Sequence, residues 1–316
     1  MTNLTPAQTD LRPSPISAPA PPRRGEMGAL YAFCAFLAWG FNPVYFKAVA
    51  AVPVVEVVAH RVVWSVLFLA MVVSFGRQWP AILRALVDRR VLATLAISTL
   101  LLTSNWGLYV WAVANERVLE TSIGYFINPL VSVLLGVVFL RERLNRVQMV
   151  AVALAVAGVA YLTWGYGQAP WIALYLAVSF GLYGLVRKTA PVDALGGLFI
   201  ETVICLPLAV GYLIWVQGAG AGAFGRQGLA FDLLLMASGP VTALPLLWFS
   251  AAARRLNLST VGFFQYIAPS TQFLLAIFAY GEFFTAAHAV AFPLIWTALA
   301  IITADAVHRQ RRRAAT

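Results

Sequence analysis

Long apolar stretches recur along the chain between residues 28 and 305, and short polar or basic segments separate them. An apolar stretch of about 18 residues or more is long enough to cross the hydrocarbon core of a bilayer as a helix. The pattern therefore predicts an all-α integral membrane protein with ten spans. These lie at approximately 28–49, 55–75, 91–113, 118–140, 147–165, 170–187, 194–216, 230–252, 259–280 and 287–306.

Two stretches of the chain share one order of features at a spacing of 140 residues. Residues 124–144 contain an aromatic residue followed by Ile-x-Pro, then an apolar run and a glutamate, and residues 264–284 contain the same series. Phe126, Ile127, Pro129 and Glu142 correspond to Tyr266, Ile267, Pro269 and Glu282. The repeat predicts two units, 27–166 and 167–307, between a proline-rich, disordered cytoplasmic tail (1–26) and a basic cytoplasmic tail (308–316).

The number of spans in each unit predicts how the units are oriented. Because each contains five, an odd number, the second unit enters the membrane upside down relative to the first. The charges agree, since Arg141 and Arg143 flank Glu142 on the predicted inner side, whereas no arginine flanks Glu282. Inverted repeats are a common architecture of carriers that expose one site alternately to each side of the membrane. The sequence thus predicts two inverted five-helix repeats.

Composition supports a membrane location. Hydrophobic residues make up 61% of the chain and charged residues 11%, whereas soluble domains are about half apolar and a quarter charged. The net charge of +10 does not indicate a nucleic-acid partner, because 18 of the 22 basic residues fall on one predicted side of the membrane. Lysine and arginine are retained in cytoplasmic loops, so both termini are predicted to be cytoplasmic.

The second and seventh predicted spans together contain four acidic or basic side chains. Glu56 and His60 share one face of the second span beside Arg61, and Glu201 lies 141 residues after His60, in the seventh span. Such groups usually face a bundle interior or a wet cavity because hydrocarbon penalises their charge. His60 and Glu201 are candidates for proton coupling, since a histidine titrates near neutral pH. A structural ion pair that joins the two units is the alternative interpretation.

Polar and aromatic residues within the spans are candidate contacts for a substrate. Pro129 and Pro269 are predicted to interrupt corresponding spans, which is a pointer to the binding site of a transporter. The candidates are Trp39, Asn42, Asn105, Trp106, Tyr109, Tyr125, Asn128, Tyr183, Gln265, Tyr266 and Gln272. Their aromatic content favours an amphipathic or planar organic solute. Interfacial aromatic belts, hydrogen bonds between helices and proline kinks that serve packing are the alternatives.

Several strings together resemble a known family. They are AWG at 38–40, PVYFK at 43–47, AHRVVWS at 59–65, NW at 105–106, YVWAV at 109–113, GYFINPL at 124–130, FGLYG at 180–184, GPVTALP at 239–245 and QYIAP at 265–269. The chain resembles the RarD family, in the EamA branch of the drug/metabolite transporter superfamily, over residues 27–307. The resemblance implies ten helices, a multi-pass permease of the bacterial inner (plasma) membrane and an association with chloramphenicol sensitivity.

The combined expectation is a secondary transporter in the lipid bilayer. It would move a small organic solute, drug or metabolite by alternating access, with protons as the candidate coupling ion; a homodimer is left open. No HExxH, GxSxG or Walker-type glycine motif occurs in the sequence, so we expect no enzyme, no cofactor and no metal. A membrane-embedded enzyme, which covalent turnover would reveal, and a non-transporting receptor, which often carries a long soluble domain, are the alternatives.

Overall fold

The computed structural model describes residues 24–115, 117–164, 170–279 and 286–315. It confirms the all-α fold, and those residues contain no β-strand. The predicted N-terminal tail up to residue 23, and Glu282 of the repeat, lie outside the described residues. The helices are α1 Arg24–Gly40, α2 Asn42–Ala48, α3 Val54–Phe75, α4 Trp79–Val87, α5 Arg89–Ala114, α6 Val118–Leu140, α7 Arg146–Trp164, α8 Trp171–Thr189, α9 Ala194–Gly218, α10 Leu229–Ala253, α11 Leu258–Gln265, α12 Ile267–Phe278 and α13 Ala286–Ala315.

Each predicted span coincides with one helix or with two consecutive helices. The first span is α1 followed by α2, and the ninth is α11 followed by α12. Within the described ranges, seven stretches are long and apolar enough to cross a membrane, so the count of ten remains a prediction. The last helix ends at Ala315 and therefore runs through most of the segment predicted as a C-terminal tail.

The two matching prolines have different effects, which corrects the prediction of paired interruptions. Helix α6 continues through Pro129, whereas the second unit breaks at Tyr266, between α11 and α12. Pro269 then lies in the first turn of α12, where a missing N–H leaves no hydrogen bond unmade. The turn that contains Pro129 packs tightly on α11, since a Cβ on Gly262 would come within 2.7 Å of the Pro129 carbonyl oxygen.

Most packing between helices joins one predicted unit to the other. Helix α1 packs on α10 and α12, α3 on α9 and α10, α5 on α8 and α9, α6 on α8 and α11, and α7 on α13. The repeat pairs α1 with α8, α3 with α9, α5 with α10, α6 with α11 and α12, and α7 with α13. When each helix is exchanged for its counterpart, this set of contacts maps onto itself: α1·α10 becomes α8·α5, α3·α10 becomes α9·α5, and α1·α12 becomes α8·α6.

Polar contacts give the direction of the counterpart helices. Glu56, near the start of α3, accepts a hydrogen bond from the backbone N–H of Ala223, just after α9 ends (2.7 Å). Asn145, just before α7, donates from its side chain to Asp305 in the second half of α13 (3.0 Å). The beginning of one helix thus meets the end of its counterpart in each pair, so α3 and α7 run antiparallel to α9 and α13.

Glu142 joins α6 to α11 in the same antiparallel manner. Arg141 ends α6 in the left-handed region (φ 53°) and turns the chain. The Glu142 carboxylate then accepts from the backbone N–H groups of Leu258 (2.6 Å) and Ser259 (2.9 Å), and from the Ser259 hydroxyl (2.6 Å). A carboxylate at a helix start satisfies free N–H groups and interacts favourably with the helix dipole. The glutamate of the repeat therefore caps the first helix of the ninth span.

Candidate functional site

A small cavity lies between α3, α5, α9 and α10. Arg61, Trp106 and Glu201 line it, together with the side chains of several threonines, among them Thr99, Thr103, Thr202 and Thr242. Its volume of about 20 Å³ leaves room for about one water molecule. The cavity therefore brings together three residues that the sequence singled out, one aromatic and two ionisable.

Arg61 forms one wall of the cavity. Its Nε donates a hydrogen bond to Thr242 Oγ1 (2.8 Å), and its guanidinium carbon lies 5.0 Å from the Trp106 ring centroid and 5.3 Å from that of Phe46. Among the described residues it forms no ion pair with a carboxylate. Its charge is therefore stabilised by one hydroxyl and two aromatic faces.

Three tyrosines complete the surroundings of Arg61. Tyr45, Tyr109 and Tyr125 all lie within electrostatic range of its guanidinium group. The rings of Tyr109 and Tyr125 meet edge to face with centroids 6.4 Å apart, and Tyr125 is 43% exposed. We call this group of seven residues the arginine chamber. Its members are Tyr45, Phe46, Arg61, Trp106, Tyr109, Tyr125 and Thr242.

Glu201 lines the cavity from α9 and is bound to other protein groups. Its Oε1 lies 3.6 Å from Arg187 Nη1 and accepts a hydrogen bond from the Ser98 hydroxyl. The Tyr183 hydroxyl donates to its Oε2 (3.4 Å). These groups come from α5, α8 and α9, so the carboxylate holds three helices together at one wall of the cavity.

Arg187 is fully buried, although it is the last residue of the sixth predicted span. Its Nε donates to Ser250 Oγ (3.3 Å), and its Nη2 donates to the carbonyl oxygens of Asp193 (3.4 Å) and Ala194 (3.0 Å). A Cβ at Gly197 would overlap the guanidinium group, so a glycine is needed where α9 passes this side chain. The Gly-Gly pair at 196–197 was the only sequence signal of this close approach.

Glu56 and His60 form a separate cluster near the start of α3. They share a face as predicted, with 3.8 Å between His60 Nε2 and Glu56 Oε1. Trp64 Nε1 donates to His60 Nδ1 (3.3 Å), and the Phe224 ring lies 5.5 Å from the imidazole. His60 and Glu201 are therefore not brought together, because His60 pairs with Glu56 and Glu201 pairs with Arg187.

Trp39 and Tyr183 belong to a packed aromatic core. Trp39 lies 5.7 Å from Phe180 and 5.8 Å from Phe249 between ring centroids, and Tyr183 stacks on Phe249 at 6.0 Å. Tyr183 is fully buried. In this conformation the two residues form part of the core instead of lining the cavity.

Three other candidate contact residues use their side-chain amides to connect helices. The distances are 2.8 Å from Asn105 to Ser179, 2.9 Å from Gln265 to Ser132 and 3.1 Å from Gln272 to the carbonyl oxygen of Trp39. Hydrogen bonds of this kind replace the apolar driving force that helices lack in lipid. These side chains therefore serve the packing of helices in this conformation.

The remaining candidates are Asn42 and Tyr266, which lie at breaks between helices, and Asn128, which lies on the continuous α6. Asn42 is the first residue of α2 and is partly buried. Within the described part of the chain, Asn128 Oδ1, Gln265 Oε1 and the Tyr266 hydroxyl are buried without a hydrogen-bond partner. Buried polar atoms normally have a partner, so this group, on α6 and at the α11–α12 junction, retains unused capacity for hydrogen bonds.

Comparison with known proteins identifies the family. Residues 26–164 match the EamA-like transporter family. The protein RarD of Salmonella typhi is 47% identical over 92% of this chain and 99% of its own length. The chain belongs to the RarD family of EamA-like transporters.

Other relatives of the RarD family agree with this assignment. A Vibrio cholerae protein described as an uncharacterized transporter is 46% identical over 91% of this chain and 96% of its own length. A Pseudomonas aeruginosa relative, named chloramphenicol-sensitive protein RarD, is 33% identical over 92% of this chain and 98% of its own length. The resemblance found in the sequence is confirmed, and the chain is a multi-pass membrane transporter.

A solved crystal structure supports the fold of this RarD family member. It superposes with a TM-score of 0.67 at 19% sequence identity and covers 87% of this chain and 96% of that one. At this identity the similarity concerns the fold alone.

Proposed function

We propose that the chain is a secondary transporter that moves a small organic solute by alternating access between two inverted units, residues 27–166 and 167–307. The observation that carries the proposal is the packing between helices, which is preserved when the units are exchanged. The antiparallel counterpart helices described above support the inversion. Two inverted units joined by equivalent contacts have two related arrangements, each open to one side of the membrane.

A difference in exposure between equivalent residues supports a conformation in which the two units are not in the same state. Tyr125 is 43% exposed, whereas its counterpart in the second unit, Gln265, is 4% exposed. In inverted units equivalent residues face opposite sides of the membrane. We therefore propose that this conformation is open on the side of Tyr125 and closed on the side of Gln265, and that transport exchanges the two.

The arginine chamber and the adjoining cavity form the proposed substrate site. A cavity of about 20 Å³ is too small for a whole organic solute, so a polar group of the substrate would enter it while the remainder contacts Trp106, Tyr109 and Tyr125. The other candidate contacts, which bond helix to helix here, would become available only when the helices rearrange.

Glu201 is the proposed coupling group. It lines the substrate cavity, and it also forms the ion pair with Arg187 that joins α8 to α9. Binding of a proton would remove the charge of the carboxylate and weaken this ion pair, so protonation and helix rearrangement would be linked. Replacement of Glu201 by Gln in vesicles should remove the dependence of uptake on an imposed pH gradient. Unchanged pH dependence would exclude Glu201 from coupling.

Labelling from each side of the membrane tests alternating access without a known substrate. In a variant with Cys34→Ala and Cys205→Ala, single cysteines at Tyr125→Cys and Gln265→Cys are exposed to a membrane-impermeant maleimide in oriented vesicles. We expect Tyr125→Cys to react faster from one side and Gln265→Cys faster from the other. Reaction of both from the same side would contradict the inverted arrangement.

A further inference from the structure

Arg61 is a cation inside the bundle that no carboxylate balances among the described residues. By contrast, Glu201 forms an ion pair with Arg187, and Glu56 accepts a hydrogen bond from the backbone N–H of Ala223. A charged side chain within a membrane span is costly unless a partner or water compensates it. The partner of Arg61 must therefore come from solvent or from a bound molecule.

The terminal nitrogens of the Arg61 guanidinium group indicate the chemical class of that partner. Nε donates to Thr242, and the guanidinium carbon lies over the rings of Trp106 and Phe46. The terminal nitrogens Nη1 and Nη2 donate to no described residue, and neither is among the buried atoms that lack a partner. Accessible and parallel N–H groups of this kind match the two oxygens of a carboxylate.

The remaining walls of the arginine chamber fit an aromatic body. The rings of Tyr109 and Tyr125 meet edge to face within electrostatic range of the guanidinium group. The Trp106 indole lies against the guanidinium group and also lines the cavity. Flat rings offer stacking surface to a planar solute. A neutral or cationic solute would leave the Arg61 charge uncompensated, so the chamber discriminates in favour of an anion.

We propose that the arginine chamber binds aromatic organic anions, with the carboxylate of the solute on the terminal nitrogens of Arg61 and its ring against Trp106, Tyr109 and Tyr125. This proposal rests on the substrate site described under Proposed function. It adds the class of solute and the group that selects it.

Binding to the purified full-length protein tests the proposal with matched probes. Benzoate, 3-phenylpropionate and indole-3-acetate are each compared with their primary amides, which keep the shape and lose the charge, by isothermal titration calorimetry. We expect at least one acid to bind, and its amide to bind about 30-fold more weakly or not at all. If no acid binds more tightly than its amide, the proposal is overturned.

Variants at one position separate charge from geometry. Arg61→Gln should weaken binding of the acid by about 30-fold or more, and Arg61→Lys should weaken it less because it keeps the charge but loses the paired N–H groups. Arg84→Gln, at an exposed arginine on α4, is the control and should bind as the unaltered protein does. If Arg61→Gln is not folded, Arg61→Lys decides, and an unchanged ratio of acid to amide affinity would contradict the proposal.

Flux measurements in proteoliposomes distinguish this proposal from the one on which it rests. Binding of an acid without any flux would leave the anion site intact and overturn the transporter mechanism. Flux of an amide that Arg61→Gln does not change would support transport and overturn the anion site.

Discussion

Two arginines inside the bundle differ in what surrounds them. Arg187 is fully buried, and its donors meet a carboxylate, a hydroxyl and two backbone carbonyls. Arg61 is partly buried, and it meets one hydroxyl and two aromatic faces. Arg61 and Glu201 both line the same small cavity, and Arg187 is connected to it through the ion pair with Glu201.

This difference separates a cation that belongs to the fold from one that is available to a ligand. Removal of one partner from a buried ion pair leaves the other charge uncompensated, which is strongly destabilising. Removal of a cation without such a partner leaves no opposite charge behind. Replacement of Arg187 should therefore lower the stability of the protein, whereas replacement of Arg61 should weaken the binding of a ligand.

Arg187→Gln should have the largest effect on stability. It leaves the buried Glu201 carboxylate without its ion-pair partner, so we expect the free energy of unfolding in mixed micelles to fall by about 3–5 kcal/mol. Adding Glu201→Gln to the same chain should recover most of this loss, because neither position of the former ion pair then carries a charge. A double variant as unstable as Arg187→Gln would show that the ion pair does not account for the effect.

Gly197→Ala should have the next largest effect. The new methyl group would overlap the Arg187 guanidinium and displace it from Glu201, at an expected loss of about 1–3 kcal/mol in the free energy of unfolding. Gly211→Ala, in the same helix and with nothing within 4 Å of the new Cβ, is the matched control. It should be neutral or stabilising by up to about 1 kcal/mol. If both variants lost the same free energy of unfolding, the cause would be the change in the helix backbone and not the contact with Arg187.

Thr242→Val tests the single hydrogen bond of Arg61. The substitution keeps the shape of the side chain and removes the acceptor of the Nε donor, and we expect a loss of about 1 kcal/mol in the free energy of unfolding. Thr202→Val is the control, because the Thr202 hydroxyl donates only to carbonyls of its own helix. If the two variants lose the same stability, the Arg61 bond contributes nothing specific.

Arg61→Gln should have the smallest effect on stability. No carboxylate among the described residues is left unpaired, so we expect the free energy of unfolding to change by less than about 1 kcal/mol. Thermal denaturation of Arg61→Gln and Arg187→Gln under the same conditions measures the difference in stability between the two variants. A loss as large as that of Arg187→Gln would mean that Arg61 is also compensated within the chain.

The general fold could be predicted from the sequence because the bilayer imposes the length and the apolar character of each span. The positions of all ten predicted spans coincide with helices, including the two that are broken. The repeat also identified Glu142, although not its function, since the N–H groups that it caps lie 116 and 117 residues away. Side-chain partners at such separations have no signature in a single sequence.

The candidate site was predicted less well, for reasons that particular residues make clear. Arg187 stands beside Lys188 at the end of a span and therefore resembles a loop cation, and only the close approach of Gly197 buries it. Asn105 was predicted as a substrate contact, but its partner is Ser179, on a helix of the other unit. Arg61 was recognised as an intramembrane charge, whereas the lack of a carboxylate partner could be seen only once the neighbouring helices were placed.

The cap at Glu142 has a consequence for the biogenesis of the protein. Glu142 is synthesised 116 residues before Leu258, whose backbone N–H donates to its carboxylate. Throughout that interval α6 lacks the helix start that its following glutamate caps. Synthesis of the last third of the chain therefore completes the packing of a helix from the middle third, and neither half is expected to assemble when expressed alone.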